Sequence, residues 1–85
     1  NLSTISDEFI QGVKEVRVLD MERNNIPSLP RSLAQLTRLC LLNLGGNKNL
    51  KEICVLGDLK YLEILILNDT GIEKIPQELG RAAPN

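Results

Sequence analysis

The chain has 85 residues, of which 42% are apolar and 25% charged, and its net charge is −1. This length allows at most one domain, and the composition is that of a folded globular chain rather than a disordered one. The near-zero charge, the absence of His and the presence of only one Phe and one Tyr argue against nucleic-acid binding, His-containing metal sites and His-based catalysis.

Residues 1–15 are predicted to form a partial repeat that contains a short helix. Ser6 is placed as the N-cap, because its hydroxyl can accept from a backbone N–H in the first helical turn. Phe9, Ile10 and Val13 then fall on one face at helical spacing. This face is expected to pack against the rest of the chain.

Three stretches that begin at Val16, Leu39 and Leu62 can be laid over one another at a spacing of 23 residues. Each has an apolar residue at its first, fourth and sixth positions and Asn or Thr at its ninth. The alternation inside each stretch predicts a short, half-buried strand. The whole spacing resembles the leucine-rich-repeat pattern L-x-x-L-x-L-x-x-N. The predicted repeats span residues 16–38, 39–61 and 62–84.

The segments that follow the strands differ between the repeats. Pro27 and Pro30 exclude a long helix in the first repeat, so only one or two helical turns are predicted over residues 31–36. In the second repeat Asn49 stands where the other two repeats have isoleucine, and Leu50 follows one place later. We interpret this shift as a one-residue insertion at the turn.

The resemblance implies an α/β repeat fold, namely a right-handed leucine-rich-repeat solenoid that forms a fragment of a horseshoe. Short parallel strands are expected on its concave side, with short helical turns or extended segments on its convex side. One repeat cannot bury its own apolar residues, so stacking is required to build a core. Neither end carries an obvious polar cap, and residues 81–85 depart from the pattern. Residues 1–85 are therefore expected to be a single segment cut from a longer array.

The ninth-position side chains of the repeats and the two cysteines are predicted to have structural roles. The ninth-position side chains are expected to point inward and to bind backbone groups of the turn, with the Thr hydroxyl making only part of the bonds that an Asn makes. They are Asn24, Asn47 and Thr70. Cys40 and Cys54 are interpreted as reduced, small and mostly buried residues.

Side chains between the buried strand residues are expected to face the concave side, because neighbours in a strand point to opposite faces. An apolar column bordered by polar residues is typical of a protein interface. Ile66 is the strongest single candidate, because Asp20 and Asn43 hold the same place in the other repeats. Strand propensity alone is the alternative explanation of the apolar residues. The predicted protein-binding residues are Val18, Asp20, Glu22, Arg23, Leu41, Asn43, Gly45, Ile64, Ile66, Asn68 and Asp69.

No catalytic chemistry, metal site, cofactor or small-molecule substrate is predicted. Asp20 and Glu22 form a carboxylate pair, but nothing in the sequence places a further catalytic group beside them. The stretch from Gly45 to Lys48 lacks the spacing of a phosphate-binding loop and is interpreted as a turn. No apolar run is long enough to span a membrane.

Three phrases narrow the resemblance to the intracellular nucleotide-binding leucine-rich-repeat receptors of plant disease resistance, in particular the coiled-coil type. Residues 16–21 read V-R-V-L-D-M, residues 26–30 read I-P-S-L-P and residues 59–65 read L-K-Y-L-E-I-L. They resemble the phrases L-R-V-L-D-L, I-x-x-L-P and L-K-x-L-E-x-L that recur in that family.

This resemblance implies a non-catalytic, cytoplasmic protein-interaction module of an innate immune receptor. Such a module recognises a pathogen effector or a guarded host protein, and it packs on the nucleotide-binding domain of its own chain to hold that domain inactive. Two alternatives stay open: a repeat segment of another cytosolic signalling scaffold, and part of a cell-surface receptor ectodomain. A nucleotide-binding domain encoded upstream would favour the receptor, whereas a signal peptide or a glycan on Asn68 would favour the ectodomain.

Overall fold

The computed structural model describes residues 5–75 and the strand Ala83–Pro84. Its elements in chain order are α1 (Asp7–Gly12), β1 (Val18–Asp20), a first 3₁₀ helix (Arg31–Gln35), β2 (Leu41–Asn43), a second 3₁₀ helix (Cys54–Asp58), β3 (Ile64–Ile66) and β4 (Ala83–Pro84).

The strands form one parallel sheet in the order β1-β2-β3-β4. Leu19 pairs with Leu42, and Leu42 pairs with Leu65, so residues 23 positions apart lie side by side. The prediction of neighbouring parallel strands at this period is confirmed. Because every register step has the same length here, residues at equivalent repeat positions form columns across the sheet.

The fourth strand follows at a shorter spacing. Ala83 pairs with Ile64, 19 positions earlier in the chain. Residues 83 and 84 fall inside the predicted third repeat, residues 62–84, in a part for which the sequence predicts no strand. A two-residue strand of Ala and Pro carries no alternation by which it could be recognised. The expected departure from the pattern at residues 81, 82 and 85 lies outside the described residues.

The core lies between the sheet and a layer of short helices. Leu42 and Leu65 from the strands and Leu33 and Leu56 from the two 3₁₀ helices are at most 1% exposed. The helices pack on one another in chain order, α1 on the first 3₁₀ helix and the first on the second. Each fully buried leucine contributes about 1.5–3 kcal/mol of hydrophobic free energy, so this two-layer core holds the columns of the sheet in register.

Helix α1 begins as the sequence predicts. The Ser6 hydroxyl accepts a hydrogen bond of 3.1 Å from the backbone N–H of Phe9. Ile10 is fully buried, and Phe9 and Val13 pack partly buried against the core. The partial repeat therefore covers the end of the core that lies beside the first 3₁₀ helix.

The second repeat shows the effect of the predicted insertion. Leu50 is fully buried, whereas Asn49 is exposed and donates its side-chain amide to the Asn25 side-chain oxygen at 3.1 Å. Leu50 also accepts a bond of 2.9 Å from the backbone N–H of Gly71 in the next repeat. The extra residue thus brings the backbone of the turn close to Gly71.

One expectation about the cysteines is wrong. Both thiols are free, but Cys54 is exposed and Cys40 only half-buried, rather than both being mostly buried. Cys54 is the first residue of the second 3₁₀ helix, and the residue which that helix buries is Leu56. Cys54 is therefore on the outer side of the helix. Its burial depends on this position and not on the apolar character of cysteine.

We expect Gly71→Ala to lower the free energy of unfolding by about 1–3 kcal/mol, which is the range for a side chain forced into a packed site. A Cβ atom at position 71 would lie 2.7 Å from the Lys48 carbonyl oxygen and 3.2 Å from that of Leu50. Urea denaturation followed by circular dichroism measures the change. Gly12→Ala is the matched control: no atom lies within 4 Å of the added methyl group, so an unchanged or slightly raised stability is expected there. Equal effects of the two variants would contradict the close-approach explanation.

Candidate functional site

The sheet has one face on the core and one face open, which we call the open sheet face. The register places Val18, Leu41 and Ile64 in one column. Val18 is 61% and Ile64 43% exposed, and Leu41 between them is half-buried. We call these three side chains the apolar column. Single exposed aliphatic residues are common, but neighbouring ones that form a continuous apolar surface mark an interaction site.

A second column on the open sheet face changes character from one repeat to the next. Asp20, Asn43 and Ile66 pair across the three strands. Asp20 is exposed, whereas Asn43 and Ile66 are half-buried. The Asp20 carboxylate accepts a bond of 3.0 Å from the backbone N–H of Glu22. It therefore stabilises the turn after β1, and the Asp20–Glu22 pair has this local structural explanation.

The register continues for two residues past the strands. Arg23 donates its N–H to the Gly45 carbonyl, and Gly46 donates to the Asn68 carbonyl, both at 2.9 Å. These bonds bring Glu22, Gly45 and Asn68 into a third column. Gly45 is buried, and the side chains at both ends of this column are exposed.

The next position along the chain adopts the left-handed conformation in all three repeats. The φ angles are +57° at Arg23, +75° at Gly46 and +60° at Asp69. This region favours glycine, yet two of the three residues carry side chains. In the register of the sheet, Arg23 and Asp69 lie on either side of Gly46, which has no side chain. Arg23 and Asp69 are predicted binding residues, and their shared left-handed conformation is a feature that the sequence does not predict.

The ninth-position side chains do not act alike. Asn47 is fully buried, and its amide nitrogen donates to the carbonyls of Met21 at 3.0 Å and Leu44 at 2.7 Å. Its oxygen accepts from the backbone N–H of Asn24 at 3.2 Å and of Ile26 at 2.9 Å. One side chain thereby ties the turn of the first repeat to that of the second.

Asn24 and Thr70 both make bonds within their own turns. Asn24 donates its side-chain amide to the Glu22 carbonyl at 3.2 Å, within the same turn. The Thr70 hydroxyl donates to the Leu67 carbonyl at 2.8 Å and accepts from the N–H of Ile72 at 3.5 Å. These bonds stay inside one repeat, whereas the side-chain bonds that join the turns of the first and second repeats are made by Asn47.

Two grooves lie between neighbouring return segments, where the sequence analysis placed no site. The larger has a volume of about 630 Å³ and the smaller about 420 Å³, and Glu52 and Cys54 line both. The larger is also lined by Ser28, Leu29, Arg31, Val55 and Asp58. The sequence feature that could have indicated these grooves is the insertion in the second repeat, because it changes the turn that precedes residues 52–54.

Two further structural findings concern the part of the chain that is described. No group of three or more His, Cys, Asp or Glu side chains there is arranged to hold a metal ion. Among the same residues, no helix combines the length and the apolar character that crossing a bilayer requires.

The comparison with protein families agrees with the architecture. The sequence model of the leucine-rich-repeat family matches residues 1–48. The chain therefore belongs to the leucine-rich-repeat family. A comparison with curated proteins found no match. Members of such repeat families typically act as protein-interaction modules rather than as enzymes, which is the role that the open sheet face suits.

Proposed function

We propose that this chain is part of the repeat region of a plant intracellular nucleotide-binding leucine-rich-repeat receptor, of the coiled-coil type, that acts in disease resistance in the cytoplasm. The phrases at residues 16–21, 26–30 and 59–65 support this subfamily. Its partners in this role are a pathogen effector or a guarded host protein, and the nucleotide-binding domain of the same receptor.

In this proposal the open sheet face is the concave side of a right-handed horseshoe that extends beyond the chain. Neighbouring strands lie about 4.8 Å apart, whereas packed helices need about 8–10 Å. Repeats that are wider on the helical side than on the sheet side curve toward the sheet. The repeats 16–38, 39–61 and 62–84 would then each add one strand to a continuous docking surface.

The exposed apolar column is the observation that carries the proposal. Val18, Leu41 and Ile64 project away from a core that is already complete without them. Their side chains gain free energy only when another surface covers them, at about 25 cal/mol for each Å² removed from water. A protein surface of matching shape provides such a cover, and no catalytic chemistry is needed.

We expect Ile66→Glu in the complete receptor to weaken partner binding by more than tenfold and to release autoinhibition. A carboxylate placed in an apolar contact loses its hydration without gaining a partner. Co-purification of the partner and receptor-triggered cell death in leaf tissue measure the two effects. Ile75→Glu is the control, since Ile75 is an exposed isoleucine that lies after the third turn, away from the strands, whereas Ile66 is half-buried on the sheet.

Two results would contradict the proposal. The first is Ile66→Glu that keeps both partner binding and autoinhibition. The second is a parent sequence without a nucleotide-binding domain upstream of this segment, which would favour the scaffold or the ectodomain instead.

A further inference from the structure

The turns of neighbouring repeats are joined in two different ways. We call the contact between the turns of the first and second repeats the first joint, and the contact between those of the second and third repeats the second joint. At the first joint the fully buried Asn47 side chain crosses from one turn to the other. It makes bonds of 3.2, 2.9 and 3.0 Å to the N–H groups of Asn24 and Ile26 and to the Met21 carbonyl.

The second joint is held by backbone contact. The Gly71 N–H donates to the Leu50 carbonyl at 2.9 Å. A Cβ atom at position 71 would lie 2.7 Å from the Lys48 carbonyl oxygen, so the two turns touch at this glycine. Between the described turns, one backbone bond at the second joint therefore takes the place of three side-chain bonds at the first.

Thr70 explains this difference, because it occupies the place that Asn47 has in the preceding repeat. Its hydroxyl donates to the Leu67 carbonyl and accepts from the Ile72 N–H, and both groups belong to its own repeat. A hydroxyl has one hydrogen to donate, whereas a carboxamide has two and a separate acceptor oxygen. Thr70 therefore stabilises its own turn and leaves the joint to Gly71.

The strands contribute the same bonds to both joints. Met21 donates its N–H to the Asn43 carbonyl at 2.8 Å, and Leu44, 23 residues later, donates to the Ile66 carbonyl at 2.9 Å. Because the bonds between strands repeat from one joint to the next, the difference in hydrogen bonding lies in the turns.

Burial after the turns differs in the same direction. Ile26 and Leu50 are fully buried, whereas Ile72, at the same place in the third repeat, is half-buried. Ile53 is 1% exposed, and its equivalent Ile75 is 47% exposed. Hydrophobic free energy is proportional to the apolar area removed from water, so residues 71–75 are held less firmly than their equivalents in the second repeat.

We propose that the second joint is a conformational device, at which β3 and its turn, residues 62–72, detach from the second repeat while the first joint stays formed. In stacked repeats each unit contacts only its neighbours, so the unit with the weakest neighbour contacts separates first. The apolar column is continuous from Leu41 to Ile64 only while this joint is formed. A partner that covers both side chains therefore stabilises the attached state. The detachment itself does not depend on which partner binds.

Hydrogen exchange of the complete ¹⁵N-labelled chain, followed by NMR, tests this proposal. Three pairs of amides hold equivalent places in the first and second joints, and each donates across its joint to a backbone carbonyl. They are Met21 and Leu44, Arg23 and Gly46, and Leu41 and Ile64. We expect the second amide of each pair to exchange about 30-fold faster, the ratio that two missing bonds of ordinary strength correspond to. Small amounts of urea should accelerate these three amides along one common line, because one detachment exposes them together.

Two substitutions change the joints separately. Gly71→Ala should accelerate exchange at the second joint about tenfold further and leave the first joint unchanged. Asn47→Thr should accelerate exchange at the first joint until the difference between the joints is lost. Gly12→Ala is the control for the added methyl group, since no atom lies within 4 Å of it, and it should leave both sets of amides unchanged.

The outcomes distinguish this inference from the proposed function. Equal exchange within the three pairs of amides would overturn the inference, and so would Gly71→Ala that accelerates both joints equally. Exchange that rises residue by residue toward the end of the chain, without a common response to urea, would indicate fraying and would also overturn it. All three results leave the proposed function standing, because a rigid sheet face can still bind a partner.

Discussion

Asn47→Ala is expected to lower the free energy of unfolding by about 3–5 kcal/mol. The substitution removes an acceptor from the N–H groups of Asn24 and Ile26 and a donor from the carbonyls of Met21 and Leu44. Each buried polar group left without a partner costs about 1–3 kcal/mol. A chain of this length is stable by only about 4–13 kcal/mol, so the substitution removes a large share of the total stability.

Two companion variants show whether the loss comes from the inter-repeat bonds. Asn49→Ala removes an exposed bond to the Asn25 side chain and should cost less than about 0.5 kcal/mol. The loss of stability in Asn47→Thr should fall between these two values, because the hydroxyl of Thr70 at the equivalent place makes bonds only to groups of its own repeat, the Leu67 carbonyl and the Ile72 N–H. Urea denaturation of the three variants at one temperature gives the order. A stability of Asn47→Ala equal to that of Asn49→Ala would contradict this assignment.

The sequence pattern could not predict that the ninth-position side chains differ in the hydrogen bonds they make between repeats. The pattern marks Asn24, Asn47 and Thr70 as equivalent, although a hydroxyl can make fewer bonds than an amide. What a side chain binds, however, depends on the turn that lies beside it on the preceding repeat. Asn47 has the turn of the first repeat within reach on that side, whereas the equivalent turn beside Thr70 is the one changed by the insertion at Asn49 and Leu50.

The strands were more predictable than the segments that connect them. Strand residues repeat at a fixed period and alternate between two faces, so Leu19, Leu42 and Leu65 could be aligned before any coordinates were known. The return segments have no such constraint. Cys54 was expected to be buried from its residue type, yet it starts a 3₁₀ helix that buries Leu56 instead. The strand β4 consists of two residues and gives no pattern at all.

For the candidate site, the sequence predicts which residues face away from the core but not the conformations of the side chains and the turns. Alternation assigns Val18, Ile64 and Ile66 to the face opposite the buried leucines. The close approach of the Asn43 and Asn68 side-chain oxygens to Gly45 depends on side-chain conformations, and spacing alone cannot predict it. Nor does the sequence show that Arg23, Gly46 and Asp69 share a left-handed backbone, because only one of the three is a glycine.

Leu42→Ala is the second substitution with a large expected effect. Leu42 is fully buried at the centre of β2 and is paired on both sides, with Leu19 and with Leu65. Truncation of a buried leucine costs about 2–5 kcal/mol through lost transfer free energy and the cavity left behind. We expect the upper half of that range, because parallel strands on both sides restrict the collapse of the cavity. Urea denaturation followed by circular dichroism measures it.

Leu41→Ala is the matched control, since the same atoms are removed one residue earlier on the same strand. Leu41 is half-buried in the apolar column, so its loss should cost less than about 1.5 kcal/mol of stability while it weakens the binding of a partner. The two variants thus test the two faces of one strand separately: the loss of Leu42 should affect folding, and the loss of Leu41 should affect recognition. If Leu41→Ala destabilised the chain as much as Leu42→Ala, the apolar column would belong to the core, and the case for an interface on this face would fail.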